Sequence, residues 1–425
     1  MNRNSKFLLL SGIFVCVFVT MASVLRFSPQ LQQALSWPPE TGLEKSQVAA
    51  FLDPYFKETQ TPESNQLVRW NNEDYMAQYF VDTDLQTKVS QAFARGQVAH
   101  GAFVALDAVS GRVVAMVSHG YKDNLSLMAS FPSASIFKII TAAAALDQDR
   151  LTPSSLIPLK GSYHTLYRQN IMNSGGLQPA AAKSGRYWRL MSLADAFGWS
   201  VNSIFGKIGI FGLGAGTLKE YAHRFFFQRP IPFEASLEES KVKIPEDDPF
   251  GLAESASGFT RDNTISPVHG ALIAAAAANE GVMMEPTVVS QIYDSSGKVV
   301  YASLPQELGR PIRSDTADAL KKLMERTITR GTSRSTFRNT RRNMILGQLE
   351  LGGKTGTLDG ESPPGRYDWF VGYAIRGSQK LAFAALCIHG TYRGIKASQV
   401  ARIAIENYFK PDLAKHSSTA TSLRQ

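Results

Sequence analysis

The sequence predicts a mixed α/β (α+β) fold in which strands from both ends of the chain build one sheet and a helical stretch fills the middle. Early on, Gly101 to Asp107 and Val113 to Ser118 are apolar runs of strand length around a turn at Ser110-Gly111. Late in the chain, Asp368 to Ile375 and Lys380 to His389 repeat that hairpin pattern about Gly377-Ser378. Between them, up to about Ala278, the apolar periodicity is mostly helical.

Composition supports a folded domain. With 425 residues, 44% of them hydrophobic and 19% charged, the chain can bury a large core, which excludes a disordered or collagen-like protein. Its net charge of +9 suits an anionic partner without choosing among nucleic acid, membrane and wall polymer. The two cysteines, Cys16 and Cys387, lie in contexts that cannot meet, and no Cys-x-x-Cys or His-x-x-x-His spacing signals zinc.

The elements follow in order. Phe7 to Leu25 is uncharged and close to the roughly 20 residues a bilayer-spanning helix needs. Arg3 and Lys6 precede it, which holds the N-terminus in the cytoplasm and sends the remainder outside, away from chromosomal nucleic acid. A cleavable signal peptide ending near Thr20-Met21-Ala22 is the alternative. Residues 26–74 contain Pro29, Pro38, Pro39, Pro54 and Pro62 among polar residues, with short apolar pieces around Ala49 and Phe56, and read as a linker or stalk. Leu85 to Ala94 reads as a helix, Ser398 to Phe409 as an amphipathic one, and the polar stretch after Pro411 as a disordered tail. The expected organisation is therefore a tip (1–6), a signal-anchor (7–25), a linker (26–74), a catalytic domain (75–410) and a tail (411–425).

Three motifs carry the chemistry. Ser135-Ile136-Phe137-Lys138 opens a stretch, Ile136 to Leu146, that is apolar on nearly every face and should be a buried helix. Ser135 and Lys138 lie one turn apart, and a lysine that burial and cationic neighbours hold neutral can take the serine proton. The same spacing at Ser240 to Lys243 and at Ser295 to Lys298 lacks an apolar helix. Ser200-Val201-Asn202 places a hydroxyl and an amide on one side of a short loop. Lys354-Thr355-Gly356-Thr357, after Gly352-Gly353, offers an ammonium and a hydroxyl to a carboxylate, with a glycine that lets a substrate backbone run close. A decoy, Lys183-Ser184-Gly185, precedes the second motif and has no strand pattern.

In this order and setting, the set resembles the transpeptidase domain of the penicillin-binding proteins, which shares these motifs with class A β-lactamases. The likeness extends to Phe80 through Gln86, to Ala105-Leu106-Asp107 with Gly111 through Val117, to Ile265-Ser266-Pro267 with Ala278 through Gly281, to Arg330-Gly331-Thr332, and to Asp368 through Ala374. It covers about residues 75 to 410. It implies a five-stranded antiparallel sheet flanked by helices plus an all-helical subdomain. It also implies that Ser135 is the acylated nucleophile and Lys138 its general base. Ser200 would relay a proton, Asn202 would orient the substrate amide, and Lys354 and Thr355 would contact the terminal carboxylate beside Gly356 and Thr357. The backbone amides of Ser135 and Thr357 would form the oxyanion hole. No metal or organic cofactor is implied. The implied substrate is the D-alanyl-D-alanine end of a peptidoglycan stem peptide or a β-lactam, and the acyl-enzyme would pass to an amine or, as a carboxypeptidase, to water. The implied location is the bacterial cytoplasmic membrane, with the catalytic domain outside and a separate glycosyltransferase as partner.

Two other readings compete. A β-lactamase needs a deacylating carboxylate, and Glu234, Glu238 and Glu239 have about the right spacing past Ser200. A non-catalytic β-lactam sensor or scaffold would acylate without turnover. Arg326, Arg330, Arg334, Arg338, Arg341 and Arg342 read as a solvated face or as an anionic-polymer contact, and His389 and Trp199 as site walls or core.

Overall fold

The computed structural model describes residues 42–58, 61–172, 176–179 and 188–422, with the backbone alone from 411 onward. Its first element corrects the sequence expectation. Helix α1, Lys45–Glu58, lies where a linker was expected and carries Pro54 inside it. Val48, Phe51, Leu52 and Phe56 recur at helical spacing and are all buried. Their partners come later in the chain. Phe51 meets Trp70 and Tyr75, each at 5.4 Å between ring centroids, while Phe56 meets Tyr79 at 5.8 Å and Phe233 at 6.5 Å.

Strands β1, Asn65–Trp70, and β2, Glu73–Tyr79, form a hairpin. Asn71 and Asn72 turn it with φ of 50° and 64°, the left-handed pair that a tight two-residue hairpin loop needs. β2 continues into a four-stranded sheet with Val289–Tyr293 and Val299–Ala302. A boundary at residue 74 would cut β2, and among the described residues Lys45–Glu58 already belongs to the folded body.

Helix α2, Thr83–Arg95, then leads to β3, His100–Asp107, and β4, Val113–His119. Asp82 caps α2 by accepting from the Leu85 amide. Helix α3, Lys138–Asp147, and helix α4, Pro267–Ala278, are buried along their whole length. Helix α5, Ser314–Thr329, precedes β5, Glu350–Glu361, β6, Pro364–Arg376, and β7, Gln379–His389. The central sheet has the order β5-β6-β7-β3-β4 with every neighbour antiparallel, so the early and late hairpins meet as expected.

Helix α6, Ala397–Ser422, covers one face with α2, where Phe93, Val400 and Phe409 bury Phe103, Phe370 and Phe383. On the other face α3 and α4 join the larger core. α6 also differs from the expected tail, since its backbone is helical from Ala397 past Pro411 to Ser422. The middle of the chain is mainly rather than wholly helical. Leu156–Lys160 pairs with Trp188–Ser192, and Ile157 and Leu159 alternate inward over a run too short for a helix. The expected anchor at 7–25, Cys16 and the decoy at Lys183 lie outside the described residues. Among the described residues no helix is long and apolar enough to cross a membrane.

Candidate active site

Ser135 sits on a tight turn, Ala134–Phe137, that runs directly into α3. The turn is bent hard, since Ala134 has φ of 47°. It fits because Gly258, itself at φ 64°, passes beneath it, and a Cβ there would lie 1.8 Å from the Ala134 carbonyl oxygen. Lys138 is fully buried in the first turn of α3. Its Nζ donates to Ser135 Oγ at 2.9 Å, to Asn202 Oδ1 at 2.7 Å and to the Ser257 carbonyl.

The second motif lies between the short helices Leu193–Gly198 and Asn202–Lys207. Ser200 adopts φ of 57°, a conformation that costs energy outside glycine and that the surroundings must hold. Asn202 is tied down by its own amide to the Tyr163 carbonyl at 2.8 Å and by Nδ2 to the His164 carbonyl at 2.9 Å. From the far side, Thr332 N donates to the Gly198 carbonyl at 3.0 Å. Gly331 is needed there, because a Cβ would approach that carbonyl oxygen to 2.1 Å. Arg326 of α5 pairs with Asp195 at 2.9 Å and fastens the same helix.

The third motif lies on β5, the outermost strand, so alternate backbone groups face the cleft rather than a neighbour. Lys354, fully buried, donates to Ser200 Oγ at 2.8 Å and to the Thr355 carbonyl at 2.8 Å. Thr355 Oγ1 shares a hydrogen bond of 2.6 Å with Thr332 Oγ1. Gly356 lets β5 lie against the Ser135 turn, where a Cβ would stand 3.2 Å from Ile136 and 3.3 Å from Ala134.

The electrostatics are one-sided. Among the described residues, neither Lys138 nor Lys354 has a carboxylate within ion-pair distance; their partners are hydroxyls, an amide and carbonyls. Burial, and then the Lys354 ammonium nearby, push Lys138 well below the ordinary lysine range. Burial alone lowers Lys354 to about 7. His164 is lowered by burial and by both lysines. A neutral amine 2.9 Å from a hydroxyl can accept its proton, and the remaining cation can hold a carboxylate.

All the motif side chains predicted from sequence converge here. Ser135, Ser200, Asn202, Thr355 and Thr357 line one cleft of about 760 Å³, with Lys138, Lys354 and Gly356 just behind its wall. Ser257, Tyr163, His164 and Thr332 were not singled out as site residues from sequence. The first two, and His164 toward Asn202, act through backbone carbonyls, which no residue pattern reveals. His389 is buried in the cleft wall, whereas Trp199 lies outside it, tilted on the Tyr163 ring at 6.0 Å.

The three glutamates weighed as deacylating groups do not reach the cleft. Glu234 is fully buried and accepts from Thr287 Oγ1 at 2.5 Å, the Val288 amide at 3.1 Å and Tyr301 Oη at 3.0 Å. Glu238 accepts from the Ala129 amide at 2.7 Å, and Glu239 is exposed. The arginine cluster divides. Arg326 is ion-paired, Arg330 and Arg334 edge a groove beside Trp199, and Arg338, Arg341 and Arg342 are exposed.

An antiparallel sheet with a serine–lysine turn between its early and late hairpins and a lysine-bearing edge strand closing the cleft defines the serine acyltransferases that penicillin acylates. A family profile described as "Penicillin binding protein transpeptidase domain" matches residues 101–406. The chain belongs to that family. It is 26% identical over 372 residues to a peptidoglycan D,D-transpeptidase, PbpA, of Mycolicibacterium smegmatis, covering 76% of this chain and 71% of that one. The crystal structure of PBPA from Mycobacterium tuberculosis matches with a TM-score of 0.62 at 22% identity, covering 78% and 81% of the two chains. Its imipenem acyl-enzyme complex matches with a TM-score of 0.61 at 25% identity, covering 78% and 79%.

Proposed function

We propose that this chain is a peptidoglycan D,D-transpeptidase that cross-links stem peptides through an acyl-enzyme on Ser135. The observation that carries the reading is the bridge made by Lys138, which joins the nucleophile to Asn202 with no carboxylate to keep the ammonium charged. In the proposed cycle, Ser135 Oγ attacks the carbonyl of the penultimate D-alanine and gives its proton to Lys138. The backbone amides of Ser135 and Thr357 hold the oxyanion, a donor of this kind being worth about a hundred- to thousandfold in rate. The expelled D-alanine nitrogen takes a proton through Ser200, and an ester remains on Ser135. An amine of a neighbouring stem then attacks that ester and releases the cross-link, while Ser135 recovers its proton.

Lys354, Thr355 and the hydroxyl of Thr332 behind it receive the terminal carboxylate. Asn202 has both ends of its amide engaged by the protein, so its part is to hold Lys138 as well as to face substrate. The reading includes a membrane anchor at 7–25, a catalytic body outside the cytoplasmic membrane and a separate glycosyltransferase that makes the glycan.

The test is to incubate the protein with fluorescent penicillin, locate the label by mass spectrometry, and then supply stem peptides ending in D-alanyl-D-alanine. A stable adduct on Ser135 and a cross-linked dimer with released D-alanine are expected. Adduct lost within seconds, or a stable adduct with no dimer, would favour the β-lactamase or sensor readings instead.

A further inference from the structure

The cleft continues past the motif residues. Beyond Thr357 its wall is made by β6, the end of β7 and the loop into α6, which contribute Arg366, Asp368, His389, Arg393 and Lys396. The positive charges here are not all used internally. Arg366 Nη1 is paired with Asp359 at 3.1 Å, and Asp368 accepts from the Ala397 amide at the start of α6 at 2.9 Å. Arg393 and Lys396 have no ion-pair partner among the described residues, and both stand at the cleft.

His389 forms the floor beneath them, its side chain buried in the cleft wall and 5% exposed. The guanidinium of Arg393 lies close enough to the ring to help burial lower its affinity for a proton. The group that a guanidinium and an ammonium at one end of a cleft would both satisfy is a carboxylate, held by charge-assisted hydrogen bonds. The nearby Asp368 is buried, and its Oδ2 accepts from the Ala397 amide; desolvation raises it to about 6 against the pull of that amide and of Lys396, Arg366 and Arg393.

We propose that this end of the cleft is a second carboxylate subsite, in which Arg393 and Lys396, over the floor formed by His389, hold an acidic group on the side arm of the acyl donor. The inference rests on the transpeptidase reading and deepens it. Lys354 and Thr355 receive the carboxylate at the peptide terminus, and the new subsite receives one upstream of the bond that is cut. The enzyme then prefers donors with an acid at that point over donors in which it is absent or amidated.

Two pairs of β-lactams separate the subsite from the chemistry, because each pair differs by one side-arm carboxylate. They are carbenicillin against penicillin G, and cefixime against cefdinir. Second-order acylation constants would be measured on the full chain in detergent, by competition with fluorescent penicillin, for the wild type and for a double variant, Arg393→Ala with Lys396→Ala. The readout is the ratio of acid to neutral compound within each pair, which cancels any general loss of folding or reactivity. In at least one pair the double variant is expected to lower that ratio about tenfold, the size expected for losing a hydrogen bond to a charged group. Ratios unchanged in both pairs would overturn the subsite and leave the transpeptidase reading standing. Failure of all four compounds to acylate the wild type would overturn the transpeptidase reading, and the subsite with it.

Discussion

Glu234 and the pair Lys138 and Lys354 are all completely buried, and the fold treats the two sites in opposite ways. Glu234 receives three hydrogen bonds and has Lys45 at 3.7 Å and 20% exposed, so its charge is answered on every side. Among the described residues Lys138 and Lys354 receive no opposite charge, only hydroxyls, an amide and carbonyls, and they repel one another. The first arrangement ties α1 to the body of the fold. The second keeps an amine neutral and reactive at a cost in stability, because a buried cation without a partner is unfavourable. In this pair, saturation goes with the structural site and deficit with the chemical one, although a spacing argument from sequence had made Glu234 a candidate for catalysis.

Four experiments can break or sharpen that contrast. The largest effect belongs to Ser135→Ala, which should abolish covalent labelling by fluorescent penicillin while the protein stays folded by circular dichroism. Label persisting at another residue would move the nucleophile. Next, Lys138→Met should slow acylation by about 10²- to 10⁴-fold, the range for loss of a general base. A loss below fivefold in stopped-flow acylation would show that the amine is not the base.

Glu234→Ala acts on the other side of the comparison. It leaves buried donors unmatched and should cost about 2–4 kcal/mol of stability, read as a lower midpoint in chemical denaturation. The acylation rate of the folded protein should stay within about threefold, since Glu234 touches no motif residue. A drop in acylation as large as that of Lys138→Met would erase the distinction.

The smallest effect is a pH limb. Lys354 titrates at about 7 in the empty cleft, so it is charged below that pH and loses its charge above it. A substrate carboxylate needs the charged form. The second-order acylation constant, which reports groups of the free enzyme, should therefore decline severalfold as pH rises from about 7 to 9. Lys354→Arg, which keeps its charge, should flatten the decline. A constant that is level or rising to pH 9 in the wild type would refute this role.

Much of this was legible in the sequence, for reasons the structure makes plain. The two hairpins of the central sheet and the buried helix after Ser135 carry their own apolar periodicity, and each motif side chain acts through its own functional group. What escaped notice depends on partners distant in the chain. The apolar face of Lys45–Glu58 is short and interrupted by Pro54, and it becomes a helix face only because Trp70, Tyr75, Tyr79 and Phe233 cover it. Likewise, the carbonyls of Ser257 and His164 that hold Lys138 and Asn202 are ones any residue would carry.

The turn at Ala134 and the glycine beneath it bear on how such an enzyme can evolve under antibiotic pressure. Any side chain at Gly258 would strike the backbone that aims Ser135, so a lineage cannot narrow this wall against a drug without displacing that serine. Heritable escape is channelled instead toward surfaces free to vary, such as the loop that bears Arg393. Changes there alter which inhibitors are admitted while the strained turn passes unaltered from one generation to the next.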